Sequence, residues 1–153
     1  DRIVVGEVRG PEAFDMVQAL STGHDGSLST CHANGPHDAL RRLEALAAMA
    51  GVGLPIDSLR EQLAAAVDLV VHVARATDGR RVVEQIHEVR PRDDDGPLRT
   101  RALVTAGAVV AAPSRAPRRG VLPAALSGVE PAQRRGVEPA QRRGVEPAPA
   151  PPA

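Results

Sequence analysis

Ile3-Val4-Val5-Gly6-Glu7-Val8-Arg9-Gly10 is an apolar strand pattern broken by a glycine and then an acid. Further on, Thr22-Gly23-His24-Asp25-Gly26-Ser27-Leu28-Ser29-Thr30-Cys31-His32-Ala33-Asn34 sets histidines on both sides of a second, weaker strand. Between them Ala13, Phe14, Val17 and Leu20 recur at helical spacing, so residues 11–21 are expected as a helix with one buried face. Pro11 suits its first turn, where a missing N–H is harmless. A strand, a helix and a second strand can make parallel neighbours. Ligands of open α/β sheets bind outside the carboxyl ends of the strands. That geometry brings Glu7 and His32 to one edge.

Outward from this core, Arg2–Val5 and Ser27–Cys31 are the expected strands, and Asn34-Gly35-Pro36 turns into another helix. Its stripe is Leu40, Leu43, Leu46/Ala47 and Ala50, with Gly51 as a carboxyl-terminal cap. A further helix begins near Pro55 and carries Ile56, Leu59, Leu63 and Ala66 inward. Apolar runs at Leu69–Ala74 and Arg81–Val89 flank Thr77-Asp78-Gly79, a strong hairpin signal. The second of these strands alternates, and one of its faces is expected to be solvated. The fold class is therefore α/β: parallel strands with helices, then a β-hairpin.

Residues 1–89 make up this unit, and residues 90–112 read as a linker plus an apolar segment, 102–112, open to being strand, helix or loose chain. A repeat follows: Gly128–Arg135, Gly136–Arg143, and a third copy begun at Gly144–Pro147. A proline in every copy rules out a continuing helix or central strand. One branched apolar residue per copy is too little to offset ordering entropy, so 113–153 is expected to be disordered.

The zero net charge hides a division. Residues 1–96 hold 10 Arg against 16 Asp and Glu, whereas residues 97–153 hold 9 Arg against 3 Glu. The basic stretch could touch an anionic surface, although a solvated tail is the plainer reading; no specific nucleic-acid partner is indicated. The chain has one aromatic residue, Phe14, so its core must be aliphatic. Cys31 is the single cysteine, which excludes an internal disulfide and suits a reducing compartment. No apolar run approaches the roughly 18 residues of a membrane span. A first residue of Asp lying directly in a strand suggests the second half of a larger unit.

Taken singly, the chemical candidates are ambiguous. An acid at the end of an apolar strand is what a nucleotide hydrolase needs to hold Mg²⁺ and orient water, but also an ordinary loop residue. His24 and His32 could join Glu7 or Asp25 around a metal, yet their spacing matches no familiar zinc motif. Cys31 and His32, adjacent on a strand, point to opposite faces and make a poor nucleophile pair. His72, in an apolar strand, reads as a core or edge histidine.

Together these residues resemble a known family. Ile3–Gly10 looks like the acidic strand motif (Walker B) of the ATPases of type II and type IV secretion and pilus assembly. Thr22–Asn34 resembles that family's histidine box, Thr-Gly-His through to Thr-x-His-x-Asn, and the spacing between the two matches. Gly10 after Arg9, together with Asp25-Gly26-Ser27-Leu28, points to the CpaF-like branch that assembles tight-adherence pili. The resemblance spans residues 1–89.

The resemblance implies the carboxyl-terminal part of a RecA-like P-loop ATPase, working with ATP and Mg²⁺ as a hexameric ring. Its place would be the cytoplasmic face of the inner membrane, against secretion or pilus platform proteins. Glu7 would activate the hydrolytic water and support Mg²⁺, and His32 would contact the γ-phosphate. Gly6, Arg9 and His24 would lie beside the nucleotide, with His24 and Arg9 on the same edge. The family's Gly-x-x-Gly-x-Gly-Lys-Thr loop is absent, and the chain contains no lysine. Without that loop the phosphates lose their backbone cradle and their lysine. Hydrolysis by this chain alone is therefore not expected; a non-catalytic interaction module is the alternative.

Overall fold

Val4 and Val5 (β1) pair in parallel with Leu28 and Ser29 (β2), in the register Val4↔Leu28 and Val5↔Ser29. The connection between them is a helix, α1 (Glu12–Ser21), as parallel neighbours require. Contact continues past the strands, because the Val8 N–H donates to the Thr30 carbonyl at 2.8 Å. The computed structural model describes residues 2–92 and 96–114. Asp93–Asp95 of the expected linker and the eight-residue repeats lie outside the described residues, as does nearly all of the stretch expected to be disordered.

Two more helices follow, α2 (Pro36–Ala48) and α3 (Ile56–Ala66). Pro36 opens α2 where no N–H is needed, and Gly51, at φ +65°, takes the turn after it. The bidentate ion pair from Arg60 to Glu44, with both nitrogens at 2.9 Å, ties α3 to α2. α1 packs on both, and the shared core holds Val17, Leu40, Leu63 and Val8, all nearly sealed from solvent. Four expected core residues sit differently, Leu20 and Ala50 being only half-buried. Phe14 is half-buried beside a cavity of about 300 Å³ under the α2–α3 link, and Ile56, at the first turn of α3, is exposed.

The rest is an antiparallel sheet in the order β3-β4-β5-β6: Leu69–Arg75, Arg81–Val89, Thr100–Thr105 and Ala108–Val109. The turn joining β3 to β4 has Gly79 at φ +85°, and Asp78 accepts from the Arg80 backbone N–H at 3.0 Å. The segment 102–112, open on sequence grounds, supplies most of β5 and all of β6. β3 begins near where α2 begins, since Leu69 pairs with Glu88. The side chains agree: His37 Nε2, at the start of α2, lies 3.2 Å from Thr100 Oγ1, and Thr100 pairs with Val89.

The simple alternation expected for β4 is not seen: Arg81–Glu84 are exposed, Gln85 and Ile86 half-buried, and burial rises toward the end. The pairing with β5 shifts between Ile86 and His87, and beyond it His87, Glu88 and Val89 are all buried. Glu88, 1% exposed, is compensated by an ion pair to Arg101 (3.1 Å) and by the Ser114 N–H (2.9 Å) and hydroxyl (2.7 Å). Burying a carboxylate costs several kcal/mol unless it is so bonded.

One face of each sheet presents exposed apolar side chains. Val4 and Leu28 are 74% and 67% exposed, and Leu69, Val71 and Val73 alternate outward along β3. Parallel sheets are ordinarily covered on both faces. Among the described residues nothing covers these side chains.

Candidate active site

The strand β1 ends at Gly6, whose carbonyl accepts the Thr30 hydroxyl at 2.5 Å, tying the two loops at the carboxyl edge. The chain then turns, and Glu7 and His32 meet there: His32 Nε2 lies 2.8 Å from Glu7 Oε1. Arg9 closes on the other oxygen, Oε2, as an ion pair. The Arg9 hydrogen bond, followed by the Arg9 and His32 charges, holds the Glu7 carboxyl below the usual carboxylate range. The carboxylate is thus ionised at neutral pH and suited to orienting a water or a cation rather than to taking a proton strongly.

Glu7 Oε1 is buried and has no aligned hydrogen bond, because His32 meets it at ion-pair distance without the required direction. A buried acceptor without a bond is costly. A water or a hydrated cation would satisfy it. Mg²⁺ keeps several waters and is held by one or two carboxylates plus substrate phosphates, so a single Glu7 at this edge fits that ion. Among the described residues no group of three His, Cys, Asp or Glu could hold a metal by itself. The reading that joined both histidines to Glu7 or Asp25 around a metal is therefore not supported.

His24 does not share the edge with Arg9 and Glu7 that the resemblance implied. It precedes β2, whereas His32 follows it, and the extended strand between them sets the two at opposite ends. There His24 Nδ1 lies 3.1 Å from the Ala19 carbonyl, bonding an open end of α1. Gly6 is placed at the edge, but a Cβ added there meets nothing within 4 Å. Cys31 is half-buried, and burial pushes its thiol pKa up.

One residue at this edge went unread in the sequence. Glu12, in the first turn of α1, accepts the backbone N–H groups of Arg9 (2.8 Å) and Gly10 (2.9 Å) through Oε1. Those bonds, that of Arg9 foremost, lower its pKa. Its position one residue after Pro11 is the signal that could have found it. A Cβ at Gly10 would come within 2.9 Å of Glu12 Oε2, so a side chain there would displace the Glu12 carboxylate.

Residues 1–115 match the family described as Type II/IV secretion system protein. The chain belongs to that family. Within the type II/IV secretion family it is 51% identical over 90 residues to a Mycobacterium tuberculosis protein named for conjugal transfer, covering 59% of this chain and 25% of that protein. The conjugal transfer protein TrbB of Rhizobium radiobacter is 47% identical over 87 residues, covering 57% of this chain and 26% of that one. Among solved structures, the VirB11 ATPase of the Brucella suis type IV secretion system, in complex with sulphate, superposes with a TM-score of 0.53 at 34% identity. That match covers 57% of this chain and 27% of the VirB11 chain, so the α/β arrangement of parallel strands and antiparallel sheet is the fold of part of that ATPase. The chain spans about a quarter of the length of these relatives.

Proposed function

We propose that this chain is the hydrolytic half of the nucleotide site of a secretion-type ATPase. The observation that carries the reading is the buried Glu7 Oε1, left without an aligned hydrogen bond on a carboxylate flanked by Arg9 and His32. In this reading Glu7 orients the water that attacks the γ-phosphate, and Arg9 keeps the acid ionised and fixed. His32, 84% exposed at its side chain, reaches outward to the γ-phosphate and passes its loss to the loop entering α2. Thr30 and Glu12 hold the two loops in place. Mg²⁺, when bound with ATP, supplies neutralising charge on the phosphates, and Glu7 is the residue here that would support it. Catalysis of this kind is positioning and electrostatics.

The complete protein would act as a ring, by analogy hexameric, on the cytoplasmic face of the inner membrane, driving secretion or pilus assembly. The finer assignment to the tight-adherence pilus branch rests on Gly10 and Asp25–Leu28; the relatives named above carry conjugation and secretion names instead. Residues 1–153 by themselves would not turn over ATP, because they contain neither a phosphate loop nor a lysine. The test is to join the chain to the amino-terminal portion of TrbB that it does not match. ATP turnover by the joined protein, and none by either part, supports the proposal; a joined protein that folds and binds ATP but does not hydrolyse it sinks it.

A second reading follows from the missing lysine: a non-catalytic module that binds intact subunits of this family. Pull-down with a full-length relative at low and moderate salt tests it, and absence of association at both removes it.

A further inference from the structure

Phe14, the chain's one phenyl ring, lies half-buried beside the cavity of about 300 Å³ under the α2–α3 link. The walls are apolar: Leu59 comes from α3, Ala47 and Ala48 from α2 or its end, and Val52 and Leu54 from the link. Gly51 and Gly53 take positive φ there, at +65° and +68°, and a Cβ built on either meets nothing within 4 Å. The link's own side chains leave the cavity open. Met49 and Val52 are 65% and 54% exposed, and Leu54 and Ile56 also face solvent. An exposed apolar patch around an open apolar cavity marks an interaction surface.

We propose that Val121–Leu126, the run Val-Leu-Pro-Ala-Ala-Leu of this same chain, docks on this pocket and closes it. The segment lies outside the described residues, and its reach follows from where they end. Ser114 is tied down: its N–H donates to Glu88 Oε1 at 2.9 Å, and its hydroxyl accepts from Arg90 at 3.0 Å. From the same stretch Arg92 reaches the first turn of α3, donating to the Asp57 carbonyl at 2.9 Å. Two arginine side chains and the backbone between them therefore separate Ser114 from the start of α3, about 30 Å at most, whereas the chain from Ser114 to Leu126 spans up to about 40 Å. The tether is long enough.

Size and charge agree with this occupant. An apolar cavity of about 150 Å³ takes one benzene, so this one takes two leucine-sized groups, and Leu122 and Leu126 supply them. No other stretch after Ser114 offers as much, since each repeat carries a single valine. Arg115, Arg118 and Arg119 precede the segment, and Asp15, exposed beside Phe14 on α1, gives them a counter-charge. Docking at Leu126 would start the repeats, at Gly128, from this end of the helices.

NMR of the isotope-labelled 153-residue chain tests this. Methyl groups of Leu122 and Leu126 docked beside the Phe14 ring should shift upfield and give NOEs to that ring. Leu122→Ser combined with Leu126→Ser should abolish those NOEs and move the Phe14 ring and Val52 methyl resonances, with the circular dichroism of the wild type retained. Random-coil shifts and fast, unrestricted motion of residues 121–126 in the wild-type chain overturn the proposal. Phe14 and Val52 resonances that the double substitution leaves in place overturn it as well. So do NOEs that appear only between labelled and unlabelled chains in a mixed sample, which would make a second copy the source of the segment.

Discussion

His32 Nε2 and Glu7 Oε1 are 2.8 Å apart, although they lie on different loops after different strands. That contact depends on the parallel pairing of β1 with β2, which brings both loops to one edge. In the joined protein, Glu7→Gln keeps the shape and removes the charge. ATP turnover should fall at least about a hundredfold, with nucleotide affinity changed by less than about threefold. Steady-state hydrolysis and fluorescent-nucleotide titration measure the two, and retained turnover would take Glu7 out of the mechanism.

The exposed partner behaves differently. His32→Ala should lower turnover by about tenfold or more with little loss of ATP affinity, since the side chain touches Glu7 but buries little. An unchanged rate would remove His32 from the site. His24→Ala should instead lower the melting temperature through the lost bond to Ala19, with turnover per folded molecule unaffected.

Glu12 is placed to set Arg9, and through it Glu7. Glu12→Gln retains an acceptor for the two N–H groups, whereas Glu12→Ala leaves both without one. The alanine variant should raise the pKa of Glu7, because a displaced Arg9 no longer lowers it; carbon-detected NMR of the carboxyl reads this in the isolated chain. A Glu7 titration identical in wild type and both variants would count against the coupling.

His87 gives the chain a signed pH response. Burial, and then the neighbouring charge of His37, lower its pKa from 6.5. The rings stand edge to face with centroids 5.7 Å apart, and Thr100 Oγ1 lies within 2.8 Å of His87 Nδ1. A depressed histidine means that the unfolded chain binds the proton more tightly, so stability is complete above about pH 6.5 and falls as pH drops below it. Melting temperatures between pH 8 and 5.5 should show this fall, and His87→Gln should flatten it. A wild-type curve level across that range refutes the assignment.

Glu88→Ala leaves Arg101 half-buried and removes two of the bonds that hold Ser114, whose hydroxyl still accepts from Arg90 at 3.0 Å. The variant loses the bonds to Glu88, while Arg101, 39% exposed, keeps solvent and the Ala112 carbonyl, so urea unfolding should shift by about 1–2 kcal/mol. Limited proteolysis should then cut near residue 112, where the wild type resists. Equal resistance would show that the bonds to Ser114 do not hold that segment.

Much of the architecture is legible in the chain because it rests on periodicity. The stripes of α2 and α3 and the Thr77-Asp78-Gly79 turn follow from local spacing. What local spacing cannot carry is distance. The histidine box reads as a single unit, yet an extended strand runs through its middle and sends His24 and His32 to opposite ends. Glu88 looks like the solvated half of an alternating strand until the register shift beside Ile86 buries it, a fact set by β5 rather than by β4. The contact of His37 with Thr100 joins segments with no shared pattern, 63 residues apart in the chain. Glu12 was within reach of sequence reasoning, as an acid in a first helical turn, and its bond to the Arg9 backbone is what makes it matter to the site.

The bare sheet faces bear finally on the chain's survival. Val4 and Leu28 on one sheet and Val71 and Val73 on the other are exposed apolar side chains of the kind that associate nonspecifically or are taken for misfolded chain. A cell making residues 1–153 without a covering segment would hold the product at the mercy of chaperones and proteases. Its abundance would then report on the supply of whatever covers those faces, so a half-life that lengthens when a covering partner is supplied would be a measure of assembly.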